Sequence, residues 1–136
     1  MARFAVAASS VPKVSSVAPA VALAVWSLFV WGGRLRNLFA EPGGLGDLAG
    51  GERWSLVGSL LFAVLAVATL VTLAVGRRFT IIPATALAVL GIVVWAYRAV
   101  VILGRDYSAG FMVVHTILAA VSIGLGLWYL RSGRAL

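Results

Sequence analysis

One segment is written twice in this chain, and each copy is long enough and apolar enough to cross a bilayer. Pro19-Ala-Val-Ala-Leu-Ala-Val25 and Pro83-Ala-Thr-Ala-Leu-Ala-Val89 agree at six of seven positions. The agreement runs on without a gap, because Val30-Trp31-Gly-Gly-Arg34 stands opposite Val94-Trp95-Ala-Tyr-Arg98. Roughly twenty consecutive apolar residues are what a helix needs to span the hydrocarbon core. Each copy carries one arginine near its end. The pattern therefore predicts membrane helices that hold a cation in corresponding places.

Composition agrees. Of the 136 residues, 62% are hydrophobic and 11% charged, with a mean hydropathy of +1.08. Soluble domains have about 45–50% apolar and about 25% charged residues. A chain this apolar cannot cover its surface with polar groups in water, so it reads as a single integral membrane domain. The net charge of +7 is scattered around the ends of apolar runs. No basic block with interleaved aromatics suggests a nucleic-acid surface. Without cysteine there are no disulfides, no iron–sulfur ligation and no thiol chemistry. Ten of the eleven basic residues are arginine, as expected of a GC-rich genome.

Four spans follow from the apolar runs: residues 17–39, 54–75, 81–103 and 108–130, after a short tail over 1–16. Pro19 and Pro83 each sit in a first turn, where the missing N–H has no partner to lose. The tail and first run together have some features of a secretory signal. The run exceeds a signal core in length and its partner lies mid-chain, so the first span reads as a retained helix. The segment 40–53 is a Gly-rich loop; it lacks the G-K-[ST] ending of a phosphate-binding loop and carries Glu41 and Asp47. Gly76-Arg77-Arg78 and Gly104-Arg-Asp-Tyr107 are short turns.

The even-numbered spans also align. Gly51-Glu-Arg-Trp54-Ser55 stands opposite Gly104-Arg-Asp-Tyr107-Ser108, and in that register Ala66 meets Ala119, Thr69 meets Ser122 and Phe62 meets His115. The expected fold is all-α: a four-transmembrane-helix bundle of two tandem hairpins, related by an axis along the membrane normal. Arg3, Lys13, Arg77, Arg78, Arg131 and Arg134 fall on one side, and the four acids Glu41, Asp47, Glu52 and Asp106 on the other. The positive-inside rule then puts both termini in the cytoplasm of a cell-membrane protein. Trp31, Trp54, Trp95 and Tyr107 are expected near the outer interface, and Trp128 and Tyr129 near the inner one.

Arg98 is the most informative residue. It lies about five residues, or 7–8 Å, inside the end of its span. Arginine in hydrocarbon costs at least about 2.5–3.5 kcal/mol on insertion scales. Snorkelling to the headgroups or pairing with Asp106 would relieve that cost. The alternative is an anion site, in which the guanidinium fork holds a lipid phosphate or carboxylate. Arg34 is its counterpart at equal depth; Glu52 and Asp106 are the acids that could neutralise the pair. His115 stands at similar depth on a seam of Ser108, Met112, Ala119, Ser122 and Gly126, whose small residues suit close helix packing. Histidine titrates near neutrality, so a proton-linked or ligand-contacting role stands beside a simple hydrogen bond to a neighbour. One histidine and no cysteine argue against haem or a zinc site. Trp31 and Trp95, like Tyr97 and Tyr107, are interfacial anchors first and stacking platforms for a ring-shaped ligand second. The hydroxyls of Ser55, Ser59, Thr69, Thr72 and Ser122 read as packing groups. No activated nucleophile is legible.

The stretch from Asp106-Tyr-Ser-Ala-Gly-Phe-Met-Val-Val-His115 through Ser122-Ile-Gly-Leu, with Trp31-x-x-Arg-x-Arg-Asn37, resembles small four-helix membrane proteins of high-GC actinobacteria. The resemblance covers most of the chain and implies fold and location only.

Three functions are expected in order. First comes a non-enzymatic accessory subunit packing against a larger protein partner or itself. A small transporter or channel follows, then a protein binding an anionic lipid or quinone through Arg34, Arg98 and His115, framed by Trp31 and Trp95. No cofactor and no nucleic acid is expected; membrane lipids are the expected surroundings.

Overall fold

The computed structural model describes residues 17–40, 42–43 and 50–133. Its long elements are α1 (Ala18–Phe39), α2 (Gly50–Val75), α3 (Ile81–Leu103) and α4 (Ala109–Trp128). All four are long and apolar enough to cross a membrane. Only helices and closed barrels satisfy their own backbone in lipid, and the described residues are overwhelmingly helical with no strand.

The expected boundaries hold to within a residue for α1, α3 and the start of α4. Ser108 is the N-cap of α4, not its first residue: its backbone is extended and its Oγ accepts from the Phe111 N–H at 3.3 Å. The second helix differs more. It begins at Gly50, so Gly51, Glu52 and Arg53 join the helix instead of the loop. Glu52 in that first turn complements the positive end of the helix dipole. The turn after α2 is a 3₁₀ segment, Arg77–Phe79, with the Arg78 guanidinium 4.6 Å from the Phe79 ring centre. At its other end α4 widens into a π turn over Tyr129–Gly133. The basic residues Arg3, Lys13 and Arg134 and the acids Glu41 and Asp47 lie outside the described residues.

The most extensive packing is within α1–α2 and within α3–α4, with lesser contacts of α2 on α3 and α1 on α4. The buried faces of α1 and α3 share one register: Ala20, Leu23, Ala24, Trp31 and Leu38 on the first, Ala84, Leu87, Ala88, Trp95 and Ile102 on the second. Alanines fill much of the core, which lets the backbones approach closely. Gly126 shows how close. A Cβ there would lie 2.9 Å from Ile92 Cγ1 and 3.2 Å from the Ala88 carbonyl oxygen.

Hydroxyls in the bundle are satisfied mostly within their own helix. Ser59 donates to the Ser55 carbonyl at 2.7 Å, Thr69 to Leu65 at 2.8 Å and Thr72 to Ala68 at 2.7 Å. Two of the bonds that tie helices together lie at one end of the bundle. The Trp26 indole N–H donates to Ser122 Oγ at 2.9 Å, joining α1 to α4. Tyr129 Oη lies 3.3 Å from Thr85 Oγ1, joining the π turn to α3. Tyr129 is fully buried, so it is a core residue and not the interfacial anchor expected. Both ties lie toward the end of the bundle away from Arg34 and Arg98.

Candidate functional site

At the opposite end the bundle opens. The seam on α4 is buried at Gly126, Ser122 and Ala119, half-buried at His115 and Met112, and exposed at Ser108. The N-terminal part of α4 thus stands off from the other helices. A cleft of about 510 Å³ lies between α1, α3 and α4. Its lining includes Trp31 and Arg34 of α1, Trp95 and Arg98 of α3, and His115 of α4. All five residues picked out as a ligand site border this one space. The volume falls in the range of small-ligand pockets.

The floor is an aromatic layer. Trp31 and Trp95 are 4% and 2% exposed, with ring centres 6.0 Å apart. Phe62 stacks on Trp31 at 4.4 Å with the rings nearly parallel. These two tryptophans therefore belong to the core and not to the interfacial belt. Trp54, at 78% exposed, and Tyr97, at 70%, do face outward as the belt reading expects. The sequence distinguishes the two kinds by helix face: Trp31 and Trp95 fall in step with Leu38 and Ile102, seven residues further on and also buried.

Arg98 lies over this floor. Its guanidinium carbon is 5.2 Å from the Trp31 ring centre and 5.7 Å from that of Trp95. Both distances are within the range of cation–π attraction. Pairing with Asp106, offered beside snorkelling as a relief for Arg98, does not form. Asp106 sits exposed in the turn between α3 and α4, while Arg98 is half-buried two turns back along α3. Arg34 directs its Nε to Ser55 Oγ on α2 at 3.0 Å. Glu52 has a contact of its own near the start of α2. Neither Arg34 nor Arg98 forms an ion pair among the described residues.

His115 makes the simpler of its two expected bonds, Nδ1 to the Phe111 carbonyl at 2.8 Å, one turn back. A carbonyl can only accept, so Nδ1 carries the hydrogen and Nε2 is the remaining polar atom of the ring. The imidazole also stacks on Phe111 at 3.8 Å, and Phe111 on Tyr107 at 4.5 Å.

No family model, curated protein or solved structure matches the chain. The site must be read from its own chemistry. Two residues that the sequence reading passed over line the cleft with the rest: Gly33, above which a Cβ would meet nothing within 4 Å, and Phe111, the platform for His115. The signal for Gly33 was present in its position, one residue before Arg34 on a face with no side chain to fill it. A second cleft of about 540 Å³ opens on the other side of the aromatic layer, between α2 and α3, and Arg98 lines that one too.

The aligned residues Phe62 and His115 pack differently. Phe62 stacks against Trp31, and the α2–α3 cleft opens beside the pair. His115 is occupied with Phe111, one turn away on its own helix, and the space beside Trp95 stays open.

Proposed function

We propose that this chain is a multi-pass integral membrane protein that binds an acidic headgroup in the α1–α3–α4 cleft, without catalysing a reaction on it. One observation carries the reading. Two guanidiniums border a cleft whose lining, among the described residues, contains no carboxylate. Cations near one another in a poorly solvated place repel, and an anion between them relieves both the repulsion and the desolvation. Arginine suits phosphate and carboxylate because its planar fork offers parallel N–H donors. Among the described residues that line the cleft, His115 has no acid to orient it and no serine, threonine or cysteine beside it.

Native mass spectrometry tests this. Protein released from nanodiscs containing phosphatidylglycerol should retain an anionic lipid, and the Arg34→Ala/Arg98→Ala double variant should lose it. Equal retention by both proteins would overturn the reading.

A second reading, an accessory subunit, is favoured by a different surface. Leu60, Ala63, Val64, Val67, Ala68 and Val71 form a wholly apolar furrow along α2 that a partner helix could occupy. Extraction in mild detergent would then bring down a protein in fixed ratio, and the double arginine variant would leave that ratio unchanged. We place the termini in the cytoplasm, because Arg77, Arg78 and Arg131 gather at one end of the bundle and Glu52 and Asp106 at the other.

A further inference from the structure

The cleft does not end below its arginines. A second hollow, of about 430 Å³, is lined by Ala22, Val25, Trp26, Phe29 and Leu125. Phe29 borders both spaces. On α1 the shared stripe runs Ala22, Trp26, Phe29, Gly33, at intervals of four, three and four, which keeps it on one helix face. On α4 the facing stripe runs Leu125, Leu118, Val114, Phe111, at intervals of seven, four and three. The helices run antiparallel, so the two stripes border one furrow. It is polar only at the Arg34–Arg98 end. The one polar group along the deeper part, the Trp26 indole N–H, is already used by Ser122. A space with no free donor or acceptor holds hydrocarbon more readily than water.

We infer that this furrow seats a single alkyl chain, so that the ligand is a membrane-resident acidic amphiphile with its head between Arg34 and Arg98 and its tail along α1 and α4. The inference rests on the headgroup reading above. It adds a ligand class and a direction. Ala22 lies twelve residues from Arg34, about 18 Å along the helix axis at 1.5 Å per residue. That distance takes a chain from the headgroup level well past the middle of a hydrocarbon core of about 30 Å. A free inorganic anion would leave the apolar part unused, and a two-chain lipid would place its second chain in the surrounding bilayer.

The experiment compares chain lengths on the full protein. Nanodiscs of phosphatidylcholine are doped with tetradecyl phosphate or with hexyl phosphate, and adducts are counted by native mass spectrometry. The wild type should retain one tetradecyl phosphate, and hexyl phosphate about tenfold less well. Longer chains also partition more strongly into any bilayer, so a second arm is needed. Val25 is exposed in the furrow, and Val25→Trp fills it without disturbing the buried face of α1. The long-chain advantage should shrink in this variant. An undiminished advantage in Val25→Trp, or equal retention of both phosphates by the wild type, would overturn the furrow while leaving the headgroup site in place. Absence of any alkyl phosphate adduct on the wild type would overturn both.

Discussion

Arg98 rests its guanidinium on the face of Trp31, 5.2 Å from the ring centre, where snorkelling or pairing with a loop acid was the simpler expectation. The difference bears on energetics. A cation–π contact contributes about 0.5–2 kcal/mol depending on desolvation. Holding arginine within hydrocarbon costs about 2.5–3.5 kcal/mol on insertion scales. The ring contact offsets part of that cost and leaves a deficit, which a bound anion would make up.

Arg98→Leu should therefore stabilise the ligand-free protein, by about 1 kcal/mol or somewhat more given those two ranges. The same change should abolish retention of acidic lipid. Unfolding in zwitterionic nanodiscs, beside lipid retention in anionic ones, separates the two effects. A residue kept only for packing would behave in the opposite way: its loss would lower stability and leave lipid retention alone. Arg98→Lys keeps the charge and loses the fork, and should retain lipid at an intermediate level.

Gly33 offers a way to close the cleft without touching a charged group. A Cβ at this position meets nothing within 4 Å, and the residue borders the cleft directly. Gly33→Ala should raise helix stability by roughly 0.5–1 kcal/mol, because glycine in a helix interior gives up the most backbone entropy. Gly33→Leu should keep the fold and occupy the space, reducing acidic-lipid retention about tenfold. Retention by Gly33→Leu at the wild-type level would move the binding site elsewhere.

Four helices, their order and nearly all their ends were legible in the sequence because apolar length alone specifies a span. The grouping of Arg34, Arg98 and His115 was legible too, since equal depth on neighbouring helices leaves few other arrangements. The aromatic floor was less so. Trp31 and Trp95 look like belt residues by composition and depth, and only their helix face puts them in the core. Tyr129 was misjudged in the same way, because a polar tip at an interface and a polar tip bonded to Thr85 leave the same trace in a sequence. The early start of α2 at Gly50 was hidden by glycines that favour loops. The pairing of Arg98 with Asp106 failed because spacing along a chain says nothing about which way a turn residue faces.

His115→Phe puts the residue of the α2 side into the α4 side. Phe62 covers one face of Trp31 by stacking at 4.4 Å. A phenylalanine at 115 has no ring nitrogen to bond the Phe111 carbonyl and is free to turn toward Trp95. The variant should be more stable, by an aromatic contact of about 0.5–1.5 kcal/mol, and should lose acidic lipid as the cleft closes. Tryptophan near-ultraviolet dichroism would report the new contact. Unchanged dichroism with full lipid retention would show that residue 115 does not control the cleft.

Since the chain has no cysteine, single-cysteine labelling can settle its orientation. Asp106→Cys, in the exposed turn before α4, should react with an impermeant thiol reagent added outside intact cells. Arg77→Cys, after α2, should react only once the membrane is opened. The reverse pattern would place the arginine cleft in the inner half of the bilayer and the termini outside.

α4 approaches α3 closely at Gly126 and is less buried toward its other end. The two helices touch where Gly126 meets Ile92 and the Ala88 carbonyl, and they are held nearby by Tyr129 against Thr85. A Cβ at 126 would press first on the Ile92 side chain, at 2.9 Å, and then on the Ala88 carbonyl oxygen at 3.2 Å, which belongs to a rigid helix and cannot give way as a side-chain end does. Gly126→Ala should cost about 1–3 kcal/mol as overpacking, and Gly126→Leu more. The loss should reach the cleft as well. Displacing α4 at this contact would strain the Trp26–Ser122 bond, which ties α4 to α1 along the furrow. Lipid retention should therefore fall in Gly126→Ala, although Gly126 lines neither hollow. Thermal unfolding and lipid counting on the same sample would check this: retention unchanged alongside lowered stability would mean that the close contact and the open end are mechanically independent.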